Sequence, residues 1–246
     1  MTFPTLASGA VSNWWDKGVG VVQSSGNFTS WTDQKASNVI SVSTGTPTWD
    51  SVNQQVICTS AVLTTQSLTL AQGFWIAWGG YASGYVSGDT SGVVYFGDGA
   101  TATWTVQNQH GTSLGDIFFT GDLTFANFWE GTFAFSGTTI KRQIFVFNGT
   151  SSAQSYQNGF AIAKANGDGQ TGTHGPSASS VLMATNGQSN SSFADTTVSY
   201  QRIAFGTVTS TSLSAGDIAL IDNWLVTGQA TLGGGSGAML LMGCGA

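Results

Sequence analysis

Val198-Ser-Tyr-Gln-Arg-Ile-Ala-Phe205 and Leu213-Ser-Ala-Gly-Asp-Ile-Ala-Leu-Ile-Asp-Asn-Trp-Leu225 stand close together near the end of the chain and obey two different periods. The first is rich in β-branched and aromatic residues and reads as a strand with Gln201, Ile203 and Phe205 on one face. The second opens on Ser214-Ala-Gly-Asp217, which resembles a capping box with Asp at its fourth position. Its apolar residues Leu220, Ile221, Trp224 and Leu225 recur at i, i+1, i+4, i+5, and Gly228 can end the helix.

Upstream of that helix the chain reads as short β runs separated by turn clusters. Gly73-Phe-Trp-Ile-Ala-Trp78 is apolar enough for a buried strand, with Trp75 and Trp78 as core residues. Gly92–Phe96 ends at Gly97-Asp-Gly99, and Ala102–Val106 alternates. Asp116–Phe119, Gly131–Phe135, Phe160–Ala163 and Ser180–Met183 are further short runs. Arg142–Phe147 ends at Asn148-Gly149, a favoured hairpin dipeptide. Many short strands with one late helix predict an all-β fold, an antiparallel jelly-roll β-sandwich with one short C-terminal helix. Three regions follow: residues 1–27 as an N-terminal arm or first strand, 28–228 as the sandwich domain, and 229–246 as a Gly-rich apolar tail. In the tail, Leu232-Gly-Gly-Gly-Ser-Gly-Ala has linker composition. It leads to Met239, Leu240, Leu241 and Met242, read either as a last strand on the same sheet or as an assembly arm for a neighbouring subunit.

Composition removes several function classes. Only 7% of the 246 residues are charged, against ~25% in an average globular protein. Six Lys and Arg face twelve Asp and Glu, a net charge of −6. Lys141-Arg142 is the sole adjacent basic pair, so neither a phosphate backbone nor an anionic membrane surface is an expected partner. No segment approaches the ~18 apolar residues of a membrane span. The two cysteines, Cys58 and Cys244, do not make a disulfide scaffold. Met1-Thr-Phe-Pro-Thr-Leu-Ala has no basic segment followed by an apolar one, so a secretory signal is not expected.

Candidate chemistry is sparse. Two-carboxylate glycan hydrolysis needs paired acids, and the single glutamate, Glu130, has no Asp within four residues. His110 and His174 lie in Gly-flanked polar stretches without metal-ligand spacing, so no metal site is expected. Asn166-Gly-Asp168-Gly-Gln170 carries oxygen ligands at alternate positions but lacks the closing acid of a Ca²⁺ loop, and a Gly-rich turn is the plainer reading. No catalytic residues and no cofactor are expected, with structural Ca²⁺ as the minor alternative. Trp129 with Glu130, and Trp14 with Trp15, are the candidate carbohydrate contacts, because indole faces suit the C–H faces of sugar rings.

Several motifs carry a family resemblance. Trp31-Thr-Asp33-Gln-Lys-Ala-Ser-Asn38, Pro47-Thr-Trp49, Gln143-Ile-Phe-Val-Phe-Asn148-Gly149, Ile203-Ala-Phe205 and Leu213–Leu225 resemble, in order and spacing, the signature segments of concanavalin A-like, laminin-G-type jelly rolls. The likeness spans roughly residues 28–228. It departs at Ala36-Ser37-Asn38, where the family has a Ser-Gly-Asn turn, and at Trp224, where it has Tyr. The resemblance implies two curved sheets with a concave face, in a family of lectins, glycosidases, adhesion modules and viral surface proteins.

Fold does not choose among these. Sparse charge, a Gly/Ser/Thr-rich surface and candidate arms at both ends favour a non-enzymatic structural virion protein of a bacteriophage, such as a capsid decoration, head-fibre or tail-associated jelly roll. Its expected partners are other virion subunits as a homo-oligomer and surface glycans, with assembly in the host cytoplasm. The alternative is a carbohydrate-binding, receptor-binding lectin module with an extracellular location. A glycan hydrolase or lyase ranks last.

Overall fold

The computed structural model describes residues 2–65, 68–69, 73–83, 90–97, 102–109, 116–120, 128–132, 138–147, 153–166, 177–178, 180–185, 197–209 and 212–231. Among them the first strands are β1 (Gly9–Trp15), β2 (Val21–Ser24), β3 (Asn27–Thr32), β4 (Val39–Thr44), β5 (Thr48–Asp50), β6 (Gln55–Cys58), β7 (Val62–Thr65) and β8 (Leu68–Thr69). Then come β9 (Phe74–Gly80), β10 (Ala82–Ser83), β11 (Thr90–Gly97), β12 (Ala102–Gln109), β13 (Asp116–Thr120), β14 (Phe128–Thr132) and β15 (Lys141–Phe147). The last are β16 (Gln154–Gln157), β17 (Phe160–Ala161), β18 (Lys164–Asn166), β19 (Ser177–Ala178), β20 (Ser180–Thr185), β21 (Thr197–Tyr200), β22 (Arg202–Val208) and the helix α1 (Ala215–Thr227).

The described residues form an antiparallel β-sandwich with one short C-terminal helix. One sheet has the order β1-β22-β9-β15-β16-β17. The other runs β10-β21-β6-β5-β3-β4-β7-β20-β11-β12-β13-β14-β18, with β2 beside β3, and β8 and β19 form a separate pair. Strand β9 shows why the smaller sheet reads as a continuous apolar run. Phe74, Ile76 and Trp78 pack into the core between the sheets, with Trp15, Trp31, Phe145, Tyr200 and Phe205. Trp75 and Ala77 point the other way, into a second core with Ile144, Val146, Ala204 and α1. Successive strand residues face opposite sides. With both faces covered, alternation has no polar partner to show.

The run Val198–Phe205 does not form one strand. It breaks at Gln201: β21 belongs to the larger sheet and β22 to the smaller, so the chain crosses between layers there. Ile203 and Phe205 face the inter-sheet core, whereas Gln201 belongs to neither strand. Residues 9–15, at the N-terminal side of the resemblance, pair with β22 from Gly9↔Val208 to Trp15↔Ile203.

The helix begins and ends where the residues require. Ser214 Oγ accepts from Asp217 N at 3.1 Å, and Gly228 adopts φ 74°, its N–H donating to Trp224 O, as αL glycine caps do. The buried stripe is Ile218, Ile221, Trp224 and Leu225. Leu220, expected in it, is only half-buried, because the face turned to the sheet starts one turn earlier. Asp217 also departs from the capping-box pattern. Its carboxylate accepts from Ala7 N and Ser8 N, each at 2.8 Å, and from Ser8 Oγ. Ser8 Oγ in turn accepts from Ser214 N at 2.7 Å. The helix start is thus tied to the N-terminal segment, whose Phe3 stacks on Trp75 and contacts Trp224 and Trp14. Arg142 and Asp222 form a two-point ion pair, Nε–Oδ1 2.8 Å and Nη2–Oδ2 3.1 Å, between β15 and mid-helix.

Two outcomes follow from this packing. Trp224→Ala removes a fully buried indole and should lower unfolding free energy by about 3–5 kcal/mol, read as a shifted urea midpoint. Burial alone would raise the Asp217 pKa, but the hydrogen bonds from Ser8, Ala7 and Ser214 outweigh it and hold the carboxyl below its ordinary value. A depressed pKa stabilises the fold fully above the unfolded Asp value of about 3.9. That stability disappears as pH falls through the lower folded value. Asp217→Asn should therefore flatten the acid limb of a melting-temperature-versus-pH curve.

Candidate functional site

Strands β5 and β6 form a hairpin with the register Thr48↔Ile57, Trp49↔Val56 and Asp50↔Gln55. The connection must reverse within four residues, and Asp50 organises it. Its Oδ1 accepts from Val52 N at 3.0 Å and Asn53 N at 3.1 Å, an Asx-type turn. Its Oδ2 accepts from Asn53 Nδ2 at 2.7 Å and Gln55 Nε2 at 3.0 Å. Gln54 takes φ 53° to complete the reversal, and Val52 projects from the tip, 88% exposed. The side-chain and backbone hydrogen bonds of Asn53, then those of Gln55 and Val52, outweigh burial and hold Asp50 below the usual carboxylate range. It is an anion at neutral pH with all four acceptor positions occupied.

Tyr81 stands opposite. It follows β9 directly and is locked to Ser199 at both ends: Tyr81 N donates to Ser199 Oγ at 2.9 Å, and Ser199 N donates to Tyr81 O at 2.8 Å. This approach requires the glycine before it, since a Cβ at Gly80 would collide with the Ser199 carbonyl oxygen and the Trp78 indole. Burial, then the field of Asp50, raises the Tyr81 pKa, so its phenol stays protonated at neutral pH. Gln201 Nε2 donates to Asn53 O at 2.8 Å and braces the turn from behind.

Between these walls lies a cavity of about 270 Å³ lined by Asp50, Asn53, Gln55, Ile57, Tyr81, Thr138 and Ile140. Gln55 is 5% exposed. Its Nε2 is committed to Asp50, while its Oε1 is buried with no hydrogen-bond partner. The site therefore offers an unused amide acceptor, a phenol, an exposed Asn and Thr, and apolar wall from Ile57 and Ile140. Sequence reasoning did not find it, since its residues come from three separate stretches. The signal available was Asp50-Ser-Val-Asn53, an Asx-turn pattern between two β runs.

Two of the four expected sugar contacts are buried. Trp14 and Trp15 are core residues, 5% and 0% exposed. Trp14 meets Trp224 edge-on at 6.0 Å, and Trp15 meets Phe205 edge-on at 5.8 Å. Trp15 Nε1 donates to Trp31 O. Neither ring has a face left for a sugar, which corrects that expectation. Trp129 and Glu130 occupy consecutive positions in β14, opposite Phe119 and Phe118 of β13. That register also puts Asp116 opposite Thr132, two positions along the ladder from Glu130, a proximity the linear spacing hides. His110, His174, Cys244, residues 167–170 of the Ca²⁺-like stretch and Met239, Leu240, Leu241 and Met242 lie outside the described residues. Among the described residues no group of three or more His, Cys, Asp or Glu could hold a metal ion, and no helix is long and apolar enough to cross a membrane. Cys58 is a buried free thiol whose pKa burial pushes well up. Asp33, from the motif that carries the resemblance, is structural: it accepts from Asn13 Nδ2, Trp14 N, Lys35 N and Ala36 N.

No protein-family model matches the chain, and no curated protein matches it. Among solved structures it is similar in fold to botulinum neurotoxin type C, which depends on interaction with two ganglioside molecules to get into cells (TM-score 0.61, 12% identity, 89% of this chain and 51% of that one). It is likewise similar to the botulinum neurotoxin serotype D binding domain (TM-score 0.60, 8% identity, 88% and 51%). A third is the serotype D ligand binding domain in complex with N-acetylneuraminic acid (TM-score 0.60, 9% identity, 88% and 50%). This chain spans about half the length of those chains. At such identities the likeness establishes the β-sandwich fold alone.

A paired substitution tests how the site is held. Gly80→Ala should cost about 1–3 kcal/mol, the usual range for overpacking, and should shift the Tyr81 ring resonances. Gly79→Ala, where the nearest non-neighbour atom is Leu225 Cδ2 at 3.6 Å, should leave both stability and Tyr81 nearly unchanged.

Proposed function

We propose that the chain is a non-catalytic carbohydrate-binding module, a lectin-like β-sandwich whose glycan contact is the cavity between the Asp50–Gln55 turn and Tyr81. The observation that carries this reading is Gln55 Oε1, a buried amide oxygen without a partner in a cavity wall. Leaving such an acceptor unpaired costs about 1–3 kcal/mol, and a ligand hydroxyl removes that cost. Aromatic and aliphatic wall atoms beside a few fixed polar groups are the usual composition of a small-ligand site. The sandwich shared with a toxin that depends on gangliosides and with a domain in complex with N-acetylneuraminic acid supports the reading through the fold alone.

Sparse charge also suits a subunit of an assembled particle, a phage virion in the fuller form of that reading, with Met239–Met242 as the docking segment. The native mass of the purified chain separates a monomeric lectin from such an assembly.

The binding reading is tested on a glycan array followed by titration calorimetry. The chain should retain at least one class of glycan and release it chemically intact. Asp50→Ala, which frees Asn53 and Gln55 from their shared anchor, should weaken that binding at least tenfold, while Glu130→Gln leaves it unchanged. An array with no retained glycan contradicts the reading.

A further inference from the structure

Resting on that binding reading, we infer that the cavity takes a single neutral, hydroxyl-rich ring and rejects carboxylated sugars. The charge inventory is one-sided. Asp50 is the sole ionised residue among the seven that line the cavity, and none of them is cationic. Lys141 follows Ile140 in the chain but belongs to β15 and does not line the space. A sugar carboxylate entering here would lose hydration and meet a like charge, with no guanidinium or ammonium to pair it.

The hydrogen-bonding inventory shows what would hold the ring. The four acceptor positions of Asp50 are filled by Val52 N, Asn53 N, Asn53 Nδ2 and Gln55 Nε2. The carboxylate therefore orients its neighbours rather than reaching for ligand. Gln55, one of the lining residues, keeps a buried side-chain oxygen, Oε1, without a partner, and that oxygen is an acceptor only. It needs a donor, which a hydroxyl or an acetamido N–H supplies on neutral and acidic sugars alike, so the selection against the acidic sugar rests on charge. The volume, about 270 Å³, lies just below the ~300–1,000 Å³ of drug-sized pockets, so one ring fits and further residues of a chain would lie outside it. Val52, 88% exposed on the adjoining tip, offers apolar contact to such an extension.

This selectivity is opposite in sign to what the fold likeness to an N-acetylneuraminic acid complex would lead one to expect, so the two are separable by experiment. The full chain is titrated by saturation-transfer NMR and calorimetry with a panel of neutral methyl hexosides and N-acetylhexosamines, and with N-acetylneuraminic acid, at low and high salt. At least one neutral sugar should bind at least tenfold more tightly than the acidic one. The difference should narrow as salt screens Asp50. Gln55→Met, nearly isosteric and unable to accept, should cut neutral-sugar affinity at least tenfold. Thr138→Lys, at an exposed lining position, should raise affinity for the acidic sugar while the protein keeps its melting temperature. Equal or tighter binding of N-acetylneuraminic acid by the unaltered chain overturns the inference while leaving the binding module intact. So does a folded Gln55→Met protein that binds the neutral sugar undiminished. Absence of binding by every sugar overturns both this inference and the proposed function.

Discussion

Arg202 is the point at which the three layers meet. Its guanidinium is 1% exposed. Nε lies 2.5 Å from Asp16 Oδ1, just past the end of β1, and Nη1 donates to Leu225 O at 2.9 Å and Val226 O at 3.0 Å. Helix α1 has no basic residue in its own last turn, so this strand residue supplies the positive charge that a helix C-terminus favours. The guanidinium also sits 6.0 Å from the centre of the Trp224 ring. A chain with six cations commits one of them wholly to its interior. Burying such a charge is costly unless it is paired and hydrogen-bonded, and removing one partner typically costs about 3–5 kcal/mol. The strain on neighbouring charge is visible at Lys17, whose pKa burial and the Arg202 field lower against the pull of Asp16.

What Arg202 fixes, the adjacent residues carry across the sandwich. Gln201 is the crossover between sheets. Its backbone N–H donates to Gly79 O at 2.8 Å, and its side chain holds the Asn53 carbonyl. Ser199, two residues earlier, grips Tyr81 through backbone and hydroxyl and accepts the Trp78 indole N–H at 2.9 Å. Four consecutive residues, Ser199–Arg202, thus fix the helix end, the crossover and both walls of the candidate site. The Asp50–Gln55 turn and Tyr81 are both tied to this junction by hydrogen bonds, which suits a preorganised site. The polar groups that face it owe their direction to hydrogen bonds made elsewhere.

Legibility in the sequence followed the same physics. The sandwich class, the buried run around Trp75 and Trp78, and the helix with its Ser214 and Gly228 ends depend on local periodicity and capping, and all were readable. The break at Gln201 was not, because apolar residues continue through it. Only the change of sheet partner separates β21 from β22. Trp14 and Trp15 misled for a related reason. Both faces of the smaller sheet are covered, so adjacent tryptophans are both core, one in each layer. Asp217 looked like a capping-box acid, yet its partners Ala7 and Ser8 are some 210 residues distant. The site itself was illegible because Asp50, Tyr81 and Thr138 carry no shared spacing. They are gathered by the pairing of β6 with β21, which sets Ser199 opposite Ile57, by the bonds of Ser199 to Tyr81, and by the pairing of β9 with β15.

The central claim is that Gln55, held through its Nε2 by Asp50 in a cavity that Tyr81 also lines, offers its unpaired amide oxygen to a glycan hydroxyl. The most direct measurement is an NMR titration that follows the side-chain amides of Gln55 and Asn53 and the ring of Tyr81 as sugar is added. The account predicts that Gln55 moves most, in step with Tyr81, while the indole N–H signals of the core residues Trp14 and Trp15 stay still. A saturable glycan response that leaves Gln55 and Tyr81 unmoved would contradict it.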